Sequence, residues 1–309
     1  MQIFDTIKKT EYNTAVALGF FDGVHIGHQA VINACKNLKK EEEKLTVFTF
    51  KNSPSNTLSS KKKPLLTTNE EKFYLFEALG VDIVYCVDFN EVKDLCAKTF
   101  VYDILCDKLN AKTVVTGFNY RFAKSGESTA EDLEKLCSAR CVNTYICKPV
   151  IFGDAPVSST RIRESIKNGH IETANKMLGY NFSIESPVLS GNHIGTQIDS
   201  PTINQSLNSV RVTPKFGVYA TRVTVDNNIY YGATNIGCHP TVGECSPICE
   251  THLLDFNPSD LYGKKVKTEL LHFVRSEQKF DSLETLKEQI KTDKHNIQSF
   301  LFEYKEPTE

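Results

Sequence analysis

The chain has 309 residues, 40% of them hydrophobic and 24% charged, with a formal net charge of −2 at pH 7. That length points to two domains with substantial cores, and the composition is that of a soluble globular protein. With no basic block, a nucleic-acid polymer is excluded as the expected partner, and no apolar run approaches a membrane span. Residues Met1 to Tyr12 are mixed and charged and lack the apolar segment of a secretion signal, so a cytoplasmic location is expected. The ten cysteines are scattered with no Cys-x-x-Cys pair, which reads as free thiols in a reducing compartment.

Between residues 14 and 150, short apolar runs alternate with longer helical patterns. Strands are predicted at Ala15–Phe20, Leu45–Phe50, Asp82–Val87, Thr113–Gly117 and Tyr145–Val150. Helices are predicted at Gln29–Lys44, Asn69–Leu79, Val92–Leu109 and Ala130–Ala139. The alternation predicts a doubly wound α/β layer with a parallel sheet, whose sites lie in the loops after the strands. From Gly179 to Pro187 the character changes. Short alternating segments follow at Gly217–Val225, Ile229–Asn235, His252–Asp255 and Lys267–Phe273, with a hairpin turn at Asp226-Asn227-Asn228. They predict a small antiparallel β-barrel, and helical spacing returns from Ser282 to Tyr304. The expected domains are residues 1–180 and 181–309.

Chemistry concentrates first in Leu18-Gly19-Phe20-Phe21-Asp22-Gly23-Val24-His25-Ile26-Gly27-His28, between the first strand and the first helix. Glycines let a phosphate approach the backbone, and the free N–H groups and dipole of a helix start favour an anion. Two imidazoles beside them can donate hydrogen bonds to a polyphosphate. His-x-x-His alone fits a tight turn with incidental histidines equally well; the flanking glycines and Asp22 strengthen the phosphate reading.

Further stretches are Gly117-Phe118-Asn119-Tyr120-Arg121-Phe122 at a strand end and Ser158-Ser159-Thr160-Arg161-Ile162-Arg163 at a helix start. Pro201-Thr202-Ile203-Asn204, Asn235-Ile236-Gly237, Glu250-Thr251-His252-Leu253-Leu254-Asp255-Phe256 and Arg275-Ser276-Glu277 lie beyond the change of character. By residue type alone, Ser-Ser-Thr also reads as an ordinary N-cap, Asn119 as a turn residue and Glu250 as a solvated strand-edge residue. Taken together and in order, the set resembles the bacterial bifunctional riboflavin kinase/FAD synthetase family over essentially the whole chain.

The resemblance implies a Rossmann-like nucleotidyltransferase domain that transfers the adenylyl group of ATP to FMN. It is followed by a six-stranded riboflavin-kinase barrel that phosphorylates riboflavin. His25 and His28 match the pair on the ATP phosphates, within a binding turn that includes Gly19, Phe20, Asp22 and Gly23. Asn119, Ser159, Thr160 and Arg163 match further nucleotide- or flavin-phosphate contacts. In the barrel, Thr202 and Asn204 match ligands of Mg²⁺ and the ATP phosphates, Glu250 the general base, and Arg275 a segment near the flavin. Expected partners are ATP, riboflavin and FMN, in a monomer or weak homo-oligomer.

Two departures stand out. Ala123 occupies a position where the family usually has glycine. In the segment Gly191–Ser200, Thr196 replaces a basic residue, Asp199 a glycine and Ser200 an aromatic. A carboxylate gained and a cation lost beside ATP phosphates are unfavourable. They keep open an alternative, an adenylyltransferase whose barrel is a weak or inactive flavin-binding module.

Overall fold

The computed structural model describes residues 1–189, 202–241, 244–254 and 261–304, and the chain divides into two compact units, Met1–Ser159 and Thr160–Glu309. Thr196, Asp199 and Ser200 lie outside the described residues, as do Pro201 and Asp255.

The first unit holds β1 (Gln2–Phe4), β2 (Asn13–Leu18), α1 (Ile26–Leu38), β3 (Glu43–Phe50), α2 (Pro54–Leu58), α3 (Asn69–Ala78) and β4 (Ile83–Val87). It continues with α4 (Ala97–Thr99), which runs on as a π-wound stretch Phe100–Lys108, then β5 (Ala111–Gly117) and the hairpin β6 (Arg121–Phe122)/β7 (Ser128–Thr129). Helix α5 (Ala130–Ser138), β8 (Asn143–Cys147) and the hairpin β9 (Ile151–Phe152)/β10 (Ala155–Pro156) complete it. Six strands form one sheet in the order β1-β4-β3-β2-β5-β8, every pair parallel.

Helices cover both faces, which is why β2 reads as an uninterrupted buried run from Thr14 to Leu18. One face packs Phe48, Tyr85, Phe100 and Leu105, and the other Val31, Ile32, Val47 and Phe76. The winding reverses between β2 and β5, so the loops after these two strands flank the switch point where such sheets bind ligands.

Three local expectations are corrected. Strand β1 was not predicted; three residues carry no period, and tertiary pairing with β4 and the stacked Phe4 and Tyr85 rings make it a strand. Helix α1 ends at Leu38 rather than Lys44, because the charged residues after it offer no apolar face and Glu43 already pairs with Asn13 in the sheet. The helix predicted from Val92 starts at Ala97, where the Cys96 thiol caps it by accepting from the Thr99 N–H.

The second unit contains all of α6 (Ser159–Asn168) except its first residue, followed by α7 (Ile171–Leu178), which stops at Gly179 with φ +80°. Strands β11 (Ser183–Pro187), β12 (Thr202–Ser206), β13 (Gly217–Val225), β14 (Asn228–Thr241), β15 (Glu244–Leu253) and β16 (Lys265–Ser276) form an antiparallel sheet in the order β11-β16-β13-β14-β15-β12. It nearly closes on itself: Leu189 bridges to Asn204, and Gln205 donates to the Ser186 carbonyl at 3.2 Å.

The two-residue turn between β13 and β14 uses Asp226 and Asn227 at φ 46° and 67°, the residue types that tolerate the left-handed region a tight hairpin demands. Hydroxyls of Thr221, Thr234 and Thr251 bond in a buried chain at 2.8 Å per step, so these three polar side chains satisfy one another inside. Helix α8 (Leu283–Glu303), N-capped by Ser282, buries Ile297 against Val218 and Ala220. Among the described residues eight cysteines are free, but Cys238 is disulfide-bonded, against the expectation of ten free thiols.

Candidate functional sites

In the first unit the turn after β2 is held by its own backbone constraints. A Cβ on Gly19 would stand 2.8 Å from the Phe21 ring, and Gly23 adopts φ +83° with Leu66 against its Cα. Phe21 and Val24 also take positive φ, 55° and 35°, strain of the kind that surrounding contacts must hold in place. Those contacts are specific. The buried Asp22 carboxylate accepts from the N–H groups of Leu66 (2.9 Å) and Thr67 (3.3 Å), and the Gly23 N–H donates to Thr67 Oγ1 at 3.0 Å. Through Oδ1, Asp22 shapes the turn. Ser159 Oγ donates to the Asp22 carbonyl at 2.9 Å, tying this residue to the turn.

His25 is the N-cap of α1, its Nδ1 accepting from the His28 N–H at 3.3 Å. That bond places the proton of a neutral His25 on Nε2. The His28 ring stacks on it, centroids 3.5 Å apart, and meets the edge of Phe21 at 5.3 Å. His28 Nδ1 is buried with no partner among the described residues. An orphaned acceptor is tolerated better than an orphaned N–H, so its proton also belongs on Nε2. Burial first, then the neighbouring His25 and Lys72, hold the His28 pKa well below the usual imidazole value, so it is neutral at physiological pH. Two Nε2–H donors on adjacent rings at a helix start are suited to phosphate oxygens.

Lys72, on α3, was missed in the sequence. Its Nζ donates to the carbonyls of Phe50 (3.2 Å) and Phe20 (3.5 Å) and lies 4.6 Å from the centre of the Phe20 ring. A signal existed: Lys72 and Phe76 are four residues apart on the face that the helix buries.

Asn119 is exposed in the turn after β5, where the Tyr120 N–H donates to the Gly117 carbonyl. Thr160 and Arg163 lie in the first turn of α6, three apart on one face and away from the buried Ile162 and Ile166. Ala123 has φ 66° and ψ −178°, a region that glycine alone occupies without strain.

The barrel aligns its candidates by register. Asn204 on β12 lies opposite Glu250 on β15, which lies opposite Asn235 on β14. The row continues through Val218 on β13 to Arg275 on β16. Directly opposed residues share a sheet face, and Thr202, two before Asn204, shares it too. Asn235, quoted in a motif but not assigned a role, thus joins the site by pairing. Asn204 is buried, and its Oδ1 has no hydrogen-bond partner among the described residues. A neutral oxygen left so is the donor type a hard cation takes. Arg275 is placed differently: its Nε and Nη2 grip the buried Asp293 carboxylate of α8 at 2.7–3.1 Å, and Nη1 donates to the Ser276 carbonyl. It fastens α8 to the barrel.

A parallel α/β unit with a phosphate-suited turn at its switch point, and a nearly closed antiparallel barrel with a Thr/Asn/Glu row, define a two-domain enzyme of phosphoryl and nucleotidyl transfer. The family model of FAD synthetase matches residues 7–161 and that of riboflavin kinase residues 178–301. The bifunctional riboflavin kinase/FMN adenylyltransferase of Bacillus subtilis strain 168 is 37% identical over 295 residues, covering 93% of this chain and 92% of its own. The protein of that name from Escherichia coli K12 is 32% identical over 289 residues, 92% of each chain.

A solved structure from Streptococcus pneumoniae, described as a macrolide-efflux protein, has a TM-score of 0.89 at 30% identity, covering 96% of this chain and 99% of that one. Among the described residues here, no helix is long and apolar enough to cross a membrane. The chain belongs to the bifunctional riboflavin kinase/FMN adenylyltransferase family and carries both activities. The alternative of an inactive barrel is not favoured, since that segment matches riboflavin kinase itself.

Proposed function

We propose that the turn Gly19–His28, with Asn119, Ser159, Thr160 and Arg163, binds ATP and FMN for adenylyl transfer. An FMN phosphate oxygen attacks the α-phosphorus, the bond to the β-phosphate oxygen breaks, and pyrophosphate leaves. This chemistry chiefly needs positioning and charge stabilisation. His25 and His28 donate from Nε2 to phosphate oxygens, and Arg163 adds a fork of donors. The observation that carries the reading is the stacked histidine pair at the start of α1, where burial holds His28 neutral and His25 Nδ1 accepts from the His28 N–H.

The kinase reaction belongs to the row Asn204–Glu250–Asn235. Glu250 takes the proton of the riboflavin 5′-hydroxyl as that oxygen attacks the γ-phosphorus and ADP leaves. Thr202 and Asn204 would hold Mg²⁺, and the unpartnered Asn204 Oδ1 fits it. Bound there with ATP, the ion neutralises phosphate charge. Arg275 acts by holding α8 beside this face.

The functional domains are residues 1–180 and 181–309, and the place of work is the cytoplasm, as a monomer or weak homo-oligomer. The test is to incubate the protein with riboflavin, ATP and Mg²⁺ and separate the flavins over time. FMN should rise first and FAD follow; no FAD from added FMN would overturn the adenylyl-transfer site.

A further inference from the structure

Lys72 is 1% exposed, among the most buried large side chains in the chain. A leucine or methionine would fill a helix face against a sheet at far lower desolvation cost than an ammonium. The charge has no carboxylate within ion-pair distance among the described residues; its acceptors are two backbone carbonyls, Phe50 at the end of β3 and Phe20 in the turn after β2. Thr49 Oγ1 also donates to the Phe20 carbonyl, at 2.9 Å, so this one oxygen gathers β3, α3 and the turn.

The titratable groups that face Lys72 are Asp22 in the turn, Cys86 on β4 and His28 on α1. Burial pushes the Cys86 thiol up, and His28 is neutral. Asp22 Oδ1 accepts from the N–H groups of Leu66 and Thr67. A cation kept under these conditions directly below a phosphate-suited turn is placed to act on the anion above it.

We propose that Lys72 is a positioning residue of adenylyl transfer: its buried ammonium locks the carboxyl end of β3 to the turn after β2 and supplies positive field beneath the ATP phosphates. This rests on the reading that the Gly19–His28 turn holds those phosphates. The field acts at short range through a low-dielectric layer, where it is screened far less than a surface charge. Burial lowers the Lys72 pKa to about 8, so the charge is present at neutral pH and disappears as the pH rises through that value.

The test uses the full chain, with K72M, K72R and H28A. FAD formation from FMN, ATP and Mg²⁺ is measured from pH 6.5 to 9.5; urea unfolding reports folding of each variant, and riboflavin phosphorylation in the same samples checks the second unit. K72M should lose at least tenfold in kcat/KM for ATP in FAD formation, with phosphorylation within twofold of wild type. K72R should restore most of the rate and extend activity by about a pH unit on the alkaline side, because a guanidinium keeps its proton. Unchanged FAD formation in K72M, or coincident alkaline limbs in wild type and K72R, would overturn the proposal. If K72M does not fold, the comparison of limbs decides alone. Loss of FAD formation in H28A with a normal K72M would sink the role of Lys72 only; an unimpaired H28A would sink the phosphate reading beneath it.

Discussion

His28 and Ala123 carry the sharpest consequences at the residue scale. With its pKa held below the usual value in the folded chain, His28 binds no proton where an unfolded histidine binds one. The unfolded state therefore gains protons first as pH falls through about 6.5, and folded stability is lost downward from there. Urea unfolding at pH 7 and pH 5 should show a smaller loss in H28Q than in wild type. H28A should lower FAD formation by about 10²-fold, the scale of losing one aligned donor to a developing charge, and leave riboflavin phosphorylation intact. Glu250→Gln should do the reverse, removing about 10²–10⁴-fold of the phosphorylation rate while FAD still forms from added FMN. Ala123 holds a backbone conformation suited to glycine, so A123G should stabilise the first unit by about 1 kcal/mol, read as a raised urea midpoint.

Elements of the second unit are joined by a few buried polar clamps. The Arg275–Asp293 pair fastens α8, with the carboxylate side chain 6% exposed and the guanidinium 22%. Removing one partner strands the other, so D293A should cost about 2–3 kcal/mol, the lower end for a buried pair because Arg275 keeps some water. The same change should weaken riboflavin binding if α8 helps shape the kinase face, and a riboflavin titration would read it.

Helix α7 packs on the barrel strands: Asn175 donates to the Leu270 carbonyl at 2.8 Å, Glu172 bonds His272, and Ile171, Ala174, Met177 and Leu178 are buried. A fragment of residues 1–180 therefore exposes that face and should self-associate at high concentration, seen by sedimentation. It still retains Thr160 and Arg163, so it should form FAD from FMN, whereas a fragment ending at residue 159 should not.

Across the whole molecule the proposed sites of the two reactions share no residue. A mixture of H28A and Glu250→Gln proteins, each unable to complete the sequence, should make FAD from riboflavin, because FMN released by the first is adenylylated by the second. No FAD from the mixture, with each partner reaction active alone, would mean that FMN does not pass through solution.

Much of this organisation was legible along the chain, because hydrophobic period and turn chemistry are local. The buried run of β2, the α/β alternation, the Asp226-Asn227 hairpin and the Ser282 cap all follow from neighbours within a few residues. So do the glycines at 19 and 23, whose need is set by the turn they occupy. What the tertiary structure alone decided depends on residues that meet from afar. Asp22 turned out to brace its own loop because Leu66 and Thr67 bring their N–H groups to it. Asn204, Glu250 and Asn235 became one row only through strand register, which no spacing encodes. Arg275 found its carboxylate on another element, and Lys72 placed its charge beneath the turn after β2 only once α3 had packed on the sheet. Each of these is a long-range pairing, and its partner is chosen by packing rather than by sequence distance.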